Sequence, residues 1–463
     1  MKILSTLGAV TAAGALTLGA LVAPAAQAAP VARQAEATAA ADWLYGQLDD
    51  GRMGSSFDPS FTDWGLTVDT LWALIAAGAD ADRVTEVADA VEANASDYTS
   101  FGIEGYYASG SVGKLIVAAQ SVGRDPADFG GLDLVGLATD AIGPDGQVAS
   151  TLESGERTGG AANTFAQSLI VMGLAEEDAL PGEAVDFLIT QQCADGFFVI
   201  FPDPDGRGCD AAGGQPDRDA TAMAIMALYA AGGDDATASA ARAVAWLITE
   251  QRDDGSFGGG VSTEGANANS TGLVAAALAT AGEDEAAAAA GEWVAGLQLD
   301  TGSDAGAIAY NAESFAAGGA DGNDQWRRAS AQAIFAFVPV SLTELGRGPA
   351  PTPQPSTASP SASPSPSTSP SPTASASSTV SASPTVPPSS SASATPSIGA
   401  PPTVSPTSDA TASAPAAPNP DTATPPPSPG AGPLADTGAP AIIGLLTAGL
   451  LAVGAGARLL RRH

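Results

Sequence analysis

Trp246-Leu247-Ile248-Thr249-Glu250-Gln251-Arg252-Asp253-Asp254-Gly255-Ser256-Phe257 decides the fold, because its landmarks recur along the chain. The same order appears at Trp43-Leu44 with Gln47 and Gly51, at Phe187-Leu188 with Gln192, Gly196 and Phe198, and at Trp293-Val294 with Gln298 and Gly302. In each copy the Gln precedes the Gly by four positions. A second signature opens further segments: Thr67 to Leu74 before Gly78, Thr221 to Leu228 before Gly232, and Thr271 to Leu278 before Gly282. Each of these has apolar residues at helical spacing, a polar residue near its start and a Gly just past its end, which are helix start and stop signals. A unit therefore reads as a helix, a Gly-containing turn and a second helix, recurring about every 50 residues from 35 to 345. Weaker units from Val87 to Gly123 and from Leu132 to Asp178 bring the count to six. A helical hairpin cannot bury its apolar stripe alone, but packed hairpins can. Alanine-rich stretches such as Ala222 to Ala231 and Ala275 to Ala281 suit a crowded inner layer.

The flanks of this repeat region differ from it in composition. Lys2 precedes an apolar stretch from Ile3 to Val22, and Ala26-Gln27-Ala28 supplies small residues before a cleavage point, so residues 1–28 read as a signal peptide. The repeat domain then occupies residues 29–347. From Gly348 to Pro433 the chain is almost only Pro, Ser, Thr, Ala and Val, a composition unable to bury enough apolar surface to offset its ordering entropy. That segment reads as a disordered stalk that, at roughly 3.1 Å per residue, reaches at most about 270 Å. Residues 434–463 hold Leu434-Ala435-Asp436-Thr437-Gly438, an apolar run from Ala439 to Ala457, and Arg458, Arg461 and Arg462. An apolar run of about 17–20 residues just spans a bilayer, and the arginines beyond it hold the tail on the cytoplasmic side.

Setting aside the charged residues of the flanks leaves 13 bases and 48 acids in residues 30–347, a net charge of about −35. Such a field repels phosphate, which excludes nucleic acid and anionic lipid as partners of the domain. Its first role is solubility. Cys193 and Cys209, the two cysteines of an exported chain, read as a disulfide closing a surface loop. Asp49-Asp50-Gly51, Asp253-Asp254-Gly255 and Asp321-Gly322-Asn323-Asp324 lack the ligand spacing of an EF-hand and read as turns, so no metal and no cofactor is expected.

Two resemblances sharpen this reading. Leu434 to Gly438 with its apolar, arginine-ended tail resembles the LPXTG-type sorting signal of Gram-positive surface proteins, with Ala435 as in the LAXTG variant. That resemblance implies a sortase transpeptidase and peptidoglycan as partners, cleavage after Thr437, covalent attachment to the cell wall through Thr437, and only transient residence in the membrane. Gln-x-x-x-Gly-x-aromatic after a helix ending in Trp/Phe-Leu resembles the repeat of the terpenoid cyclase and protein prenyltransferase superfamily. It implies an all-α fold, a six-hairpin α/α toroid with an inner ring of six helices inside an outer ring.

The enzymes of that superfamily match less well. Asp217-Arg218-Asp219-Ala220-Thr221-Ala222 resembles the Asp-x-Asp-Asp-Thr-Ala sequence of class II terpene cyclases, placing Asp219 at the proton donor but Ala220 where a second acid belongs. Such a donor needs a raised pKa and a dry aromatic cavity. Aromatics make up 5% of this chain. The zinc site of protein prenyltransferases needs a His, and the sole one, His463, lies beyond the sorting cleavage. The same absence removes Ser-His-Asp and Cys-His catalysis. Gln192-Cys193-Ala194-Asp195 does not match the thioester sequence of complement-type proteins, and the second domain with which toroid cobalamin carriers trap their ligand is missing.

The candidate binding residues lie where the inner helices begin. Asp63 and Trp64, Asp217 and Asp219, and Asn267 and Asn269 precede a repeat Thr at matching places, Trp64 being one step off. Residues of these types at a helix start also serve as N-caps. Tyr106, Tyr107, Tyr310 and Trp326 are expected as exposed aromatics near other junctions. The leading expectation is a non-enzymatic surface protein whose toroid binds an unidentified extracellular small molecule, glycan or protein. The alternative is an extracellular carboxylate-dependent enzyme acting on polysaccharide, and after it a terpene-cyclase-like activity.

Overall fold

A repeat helix of this protein begins with a cap and ends with a glycine, as Arg218–Ala231 does: Asp217 Oδ1 accepts from Ala220 N at 2.8 Å, and Gly232 stops the helix at φ +67°. The computed structural model describes residues 33–347 apart from 57, 59, 60 and 204. The expected signal peptide, stalk and sorting signal lie outside the described residues. Fifteen α-helices follow one another among the described residues: α1 (Gln34–Tyr45), α2 (Trp64–Ala76), α3 (Ala81–Ala93), α4 (Ala95–Ser100), α5 (Ser109–Ser121), α6 (Leu134–Ala141), α7 (Thr164–Glu176), α8 (Gly182–Thr190), α9 (Cys209–Ala212), α10 (Arg218–Ala231), α11 (Asp234–Glu250), α12 (Ala268–Thr280), α13 (Asp284–Ala295), α14 (Ala312–Ala317) and α15 (Asp324–Phe337). Short strands β1 (Leu48–Asp49) and β2 (Arg52–Met53) form one antiparallel pair; β3 (Tyr106–Tyr107), β4 (Ser150–Leu152) and β5 (Arg157–Thr158) form a second antiparallel sheet in that order.

Six helices make a closed inner ring. α2, α5, α7, α10, α12 and α15 each pack on the next, and α15 packs back on α2. Outside them α3, α6, α8, α11, α13 and α1 fill the second layer, α1 lying against both α15 and α2. Burial distinguishes the layers. In α10 every residue from Asp219 to Leu228 is buried, whereas α11 buries a stripe, Ala236, Ser239, Ala240, Ala243, Val244 and Leu247, at the spacing of one helix face. The expected α/α toroid of six hairpins is thus present in the chain's own packing.

The recurring Gln and Gly hold the ring together. Gln192 Nε2 donates to Gly196 O (2.8 Å) and to Ser239 O of α11 (2.9 Å). Gln251 Nε2 does the same to Gly255 O (3.1 Å) and Ala286 O of α13 (2.9 Å). Gln298 Nε2 reaches Gly306 O (3.0 Å) and Glu36 O of α1 (2.8 Å), so the sixth unit is clamped to the first. Each Gln ties its own turn to the next outer helix. The glycines must be glycines, because a Cβ would fall 2.6 Å from Arg242 O at Gly196, 2.4 Å from Ala289 O at Gly255 and 2.0 Å from Ala39 O at Gly306. In the sixth unit this corrects the sequence reading: a longer turn moves the role from Gly302 to Gly306. Cys193 and Cys209 are bonded, with Cα atoms 4.9 Å apart, and Phe197, Val199 and Trp246 pack around them.

Inner neighbours run parallel. Gln120 near the end of α5 donates to Gly173 O and Glu177 Oε1 at the end of α7. Asn269 at the start of α12 donates to Arg328 O and Gln332 Oε1 in the first turns of α15. The segment around Val199 binds the starts of both α7 and α10, through Thr164 Oγ1 to Val199 O and Phe198 N to Thr221 Oγ1. Ser270 at the start of α12 bonds Asp219 at the start of α10, and Arg328 of α15 pairs with Asp63, the residue before α2, so all six N-terminal ends share one rim.

Candidate functional site

The rim is built from cap positions and from the residues two places after them. Asp63, Asp217 and Asn267 are N-caps, accepting from Leu66 N (2.9 Å), Ala220 N (2.8 Å) and Ser270 N (2.8 Å). Four residues on, Thr67, Thr221 and Thr271 are buried, and their hydroxyls accept from the backbone of Met53, Phe198 and Phe257 in the preceding turns. These residues have structural duties. Between cap and Thr stand Asp219 and Asn269, which neither cap a helix nor hold the preceding turn; each bonds to the neighbouring inner helix through one side-chain atom.

Asp219 is 8% exposed. Ser270 Oγ donates to its Oδ2 at 3.1 Å, while Oδ1 is enclosed with no hydrogen-bond partner among the described residues. Burial first, and the adjacent Asp217 carboxylate second, push its pKa up to about 7. Asp217 is itself raised, by burial. A glycine turn lies against both acids: a Cβ would fall 2.5 Å from Asp219 Oδ2 at Gly259 and 2.3 Å from Asp217 Oδ2 at Gly260. Arg218 tethers that turn, donating to Gly259 O at 2.8 Å while paired with Glu250. Tyr310 is close enough for the Asp219 charge to act on it; burial, then that charge, raise its phenol to about 12.

Polar contacts continue around the rim. Asn269 Oδ1 is buried without a hydrogen-bond partner among the described residues, its Nδ2 bonding to Gln332 Oε1 at 2.8 Å. Arg328 is buried between Asp324 (Nε to Oδ2, 2.7 Å) and Asp63, which it pairs through Nη2. On the far side of α2, Lys114 pairs with Asp69 and donates to Gly65 O at 2.9 Å, above the Trp72 ring. Burial is the largest influence and works to lower its pKa, but Asp69, Tyr98 and Asp63 together outweigh it and the net shift is upward.

Not every expected residue joins this cluster. Trp326 is buried in the core, and Tyr310 is 6% exposed, so neither is the surface aromatic that the sequence suggested; both rings fill space between elements. Tyr106 and Tyr107 are half-buried in β3, opposite Leu152 and Thr151, and Trp64 is half-buried at the start of α2. Sequence reasoning missed Arg328, Lys114, Asp69 and the Gly259–Gly260 turn. Arg328 was findable: it stands two residues before Ser330, whose Oγ accepts from Ile308 N at 2.8 Å as the repeat Thr does elsewhere. Among the described residues no group of three or more His, Cys, Asp or Glu side chains is placed to hold a metal ion.

A carboxyl group titrating near neutrality exists in both forms there, and with Oδ2 of Asp219 receiving the Ser270 hydrogen bond, the other oxygen is the place for its proton. Oδ1 of Asp219 is that oxygen. The arrangement suits general-acid chemistry.

No protein-family model matches the chain, and no curated protein matches it. Solved structures similar to it include an unsaturated glucuronyl hydrolase from Bacillus sp. GL1 (14% identity, 68% of this chain and 97% of that one, TM-score 0.45). A type II terpene cyclase from Scytonema (17%, 66% and 98%, TM-score 0.47) and a protein from Actinoplanes (16%, 66% and 98%, TM-score 0.45) are others. Likeness at this level carries no functional conclusion, and the ring stands on the packing of its own helices.

Proposed function

We propose that the ring is an extracellular acid-catalysing enzyme acting on polysaccharide, displayed on the cell wall through Thr437, with Asp219 as general acid. The observation that carries the reading is Asp219 itself, buried, titrating near 7 and keeping one unpartnered oxygen. Burying a carboxyl with an unmade hydrogen bond costs about 1–3 kcal/mol, a penalty tolerated where the group acts. The non-enzymatic reading therefore gives way to its alternative. Polysaccharide is favoured over isoprenoid because the groups flanking Asp219 are Asp217, Ser270, Asn269 and a glycine turn, with Tyr310 the aromatic among them. Wall display rests on Leu434 to Gly438 and the tail that follows.

One experiment tests both halves. Protein released from the wall fraction by muralytic digestion is incubated with a panel of polysaccharides, and new reducing ends are counted. The expected result is turnover that Asp219→Asn lowers at least 100-fold, on the scale of losing a general acid, without loss of folding. Turnover unchanged by the substitution, or none on any polymer, removes the catalytic assignment. Absence of the chain from the wall fraction removes the display assignment.

A further inference from the structure

Among the described residues the exposed large apolar side chains are Phe61, Phe101, Phe201, Val261, Phe315 and Ile248. Single exposed apolar residues are ordinary on protein surfaces. Their placement here is not scattered. Phe61, 66% exposed, is two residues before the α2 cap Asp63. Phe101 ends α4, edge-on to Tyr98, and Ala108 N just before α5 donates to Thr99 O of α4 at 2.8 Å. Phe201 follows Ile200, whose carbonyl accepts from Thr164 N at the start of α7. Val261, 63% exposed, follows the Gly259–Gly260 turn that lies on Asp219 and Asp217. Phe315 is in α14 beside Ser314, which bonds Gln325 at the start of α15. Five of the six thus stand on five different units at the rim that holds Asp219, and Ile248 alone is elsewhere, on the outer helix α11.

We propose that these five side chains form a crown that holds a strand of uncharged or amino-sugar polysaccharide across the rim, its pyranose faces lying on phenyl rings among the four present, with Val261 beside them. This deepens, and rests on, the reading of the ring as a polysaccharide enzyme. Sugar rings carry an apolar C–H face that matches an exposed aromatic ring, whose negative face also attracts an ammonium group. Charge selects among the occupants. The exposed charges interleaved with the crown include Asp97, Glu104, Asp205, Glu264 and Glu313, and the neighbouring Arg207 is paired with Asp203 and Asp205. With the domain near −35, this rim repels uronate or sulfate polymers and an anionic bilayer alike. A membrane-docking crown would instead be flanked by lysine and arginine.

The test is affinity electrophoresis of the full-length Asp219→Asn chain through gels containing a neutral β-glucan, chitosan or hyaluronan, beside sedimentation with phosphatidylcholine and phosphatidylglycerol vesicles. Retardation by the glucan or chitosan and not by hyaluronan is expected. Phe61→Ala combined with Phe315→Ala should weaken it at least tenfold with unchanged melting, and Phe61→Trp with Phe315→Trp should retain it. Equal retardation after the alanine changes, no retardation by glucan and chitosan, or vesicle binding that those changes abolish, each overturns the proposal. Since this chain lacks the acid, binding without turnover in the parent defeats the catalytic reading alone, and turnover without crown-dependent binding defeats the crown alone.

Discussion

At the scale of the residue, Asp219 links stability to pH in a direction opposite to an ion-paired carboxylate. Its pKa is about 7 in the folded chain, against about 3.9 for an ordinary aspartate in the unfolded one. Between those values the folded state binds a proton that the unfolded state has released, so stability falls as pH rises from about 4 to about 7 and the penalty is complete above that. Three units correspond to about 4 kcal/mol as an upper bound. Asp203, which Arg207 holds at about 2, works the other way: its stabilisation is present above about pH 4 and is lost only in acid. Comparison with Asp219→Asn isolates the first effect, because Asn cannot ionise. Denaturant melts should show the two chains converging near pH 4 and the Asn chain more stable by several kcal/mol at pH 8. A stability difference that does not change with pH would mean that Asp219 ionises without penalty, and the general-acid assignment would lose its basis.

At the scale of the element, the repeat Thr joins a helix to the turn before it. Thr271 Oγ1 donates to Asn267 O at 2.7 Å and accepts from Phe257 N at 3.0 Å, all of it buried. Thr271→Val keeps the volume and strands the Phe257 amide, which should cost about 1–3 kcal/mol. An exposed hydroxyl, that of Thr249 on α11, bonds only a carbonyl of its own helix at 2.7 Å, so Thr249→Val should change stability by less than about 0.5 kcal/mol. Equal effects in thermal melts would contradict the anchoring role. This bond also explains what was legible in the sequence. Thr67, Thr221 and Thr271 showed up as a repeat because one chemistry recurred, whereas Gln167, which accepts from Val148 N at 2.9 Å, and Ser330 perform the same task with other side chains and hid their units. Caps were legible as types at helix starts. Exposure was not, because nothing in a sequence says which side chain covers Trp326, and the Lys114 to Asp69 pair depends on two neighbouring inner helices packing together.

At the scale of the whole molecule, closure is what separates a ring from an open stack of hairpins. In an open stack the terminal units have one neighbour each and fray first, whereas in a closed ring every unit has two. Here the seam joins the last unit to the first: Gln298 Nε2 bonds Glu36 O at 2.8 Å, Gly306 abuts Ala39 O, Trp43 Nε1 donates to Asp304 Oδ1 at 3.2 Å, and α1 packs on α15. A side chain at Gly306 meets Ala39 O at 2.0 Å on a backbone of φ +98°, so Gly306→Ala must part the seam. At Gly302, φ +91° brings the same backbone strain but nothing stands within 4 Å. Gly302→Ala therefore controls for conformation and Gly306→Ala adds the opening. Native-state hydrogen exchange should find α1 and α15 in the wild-type chain protected to the same free energy as α10. In Gly306→Ala, α1 and α15 should exchange faster than α10, while Gly302→Ala lowers all three together. Early exchange of α1 in the wild-type chain would show that the ends fray as in a solenoid, and that the six N-terminal ends are not held on a common rim.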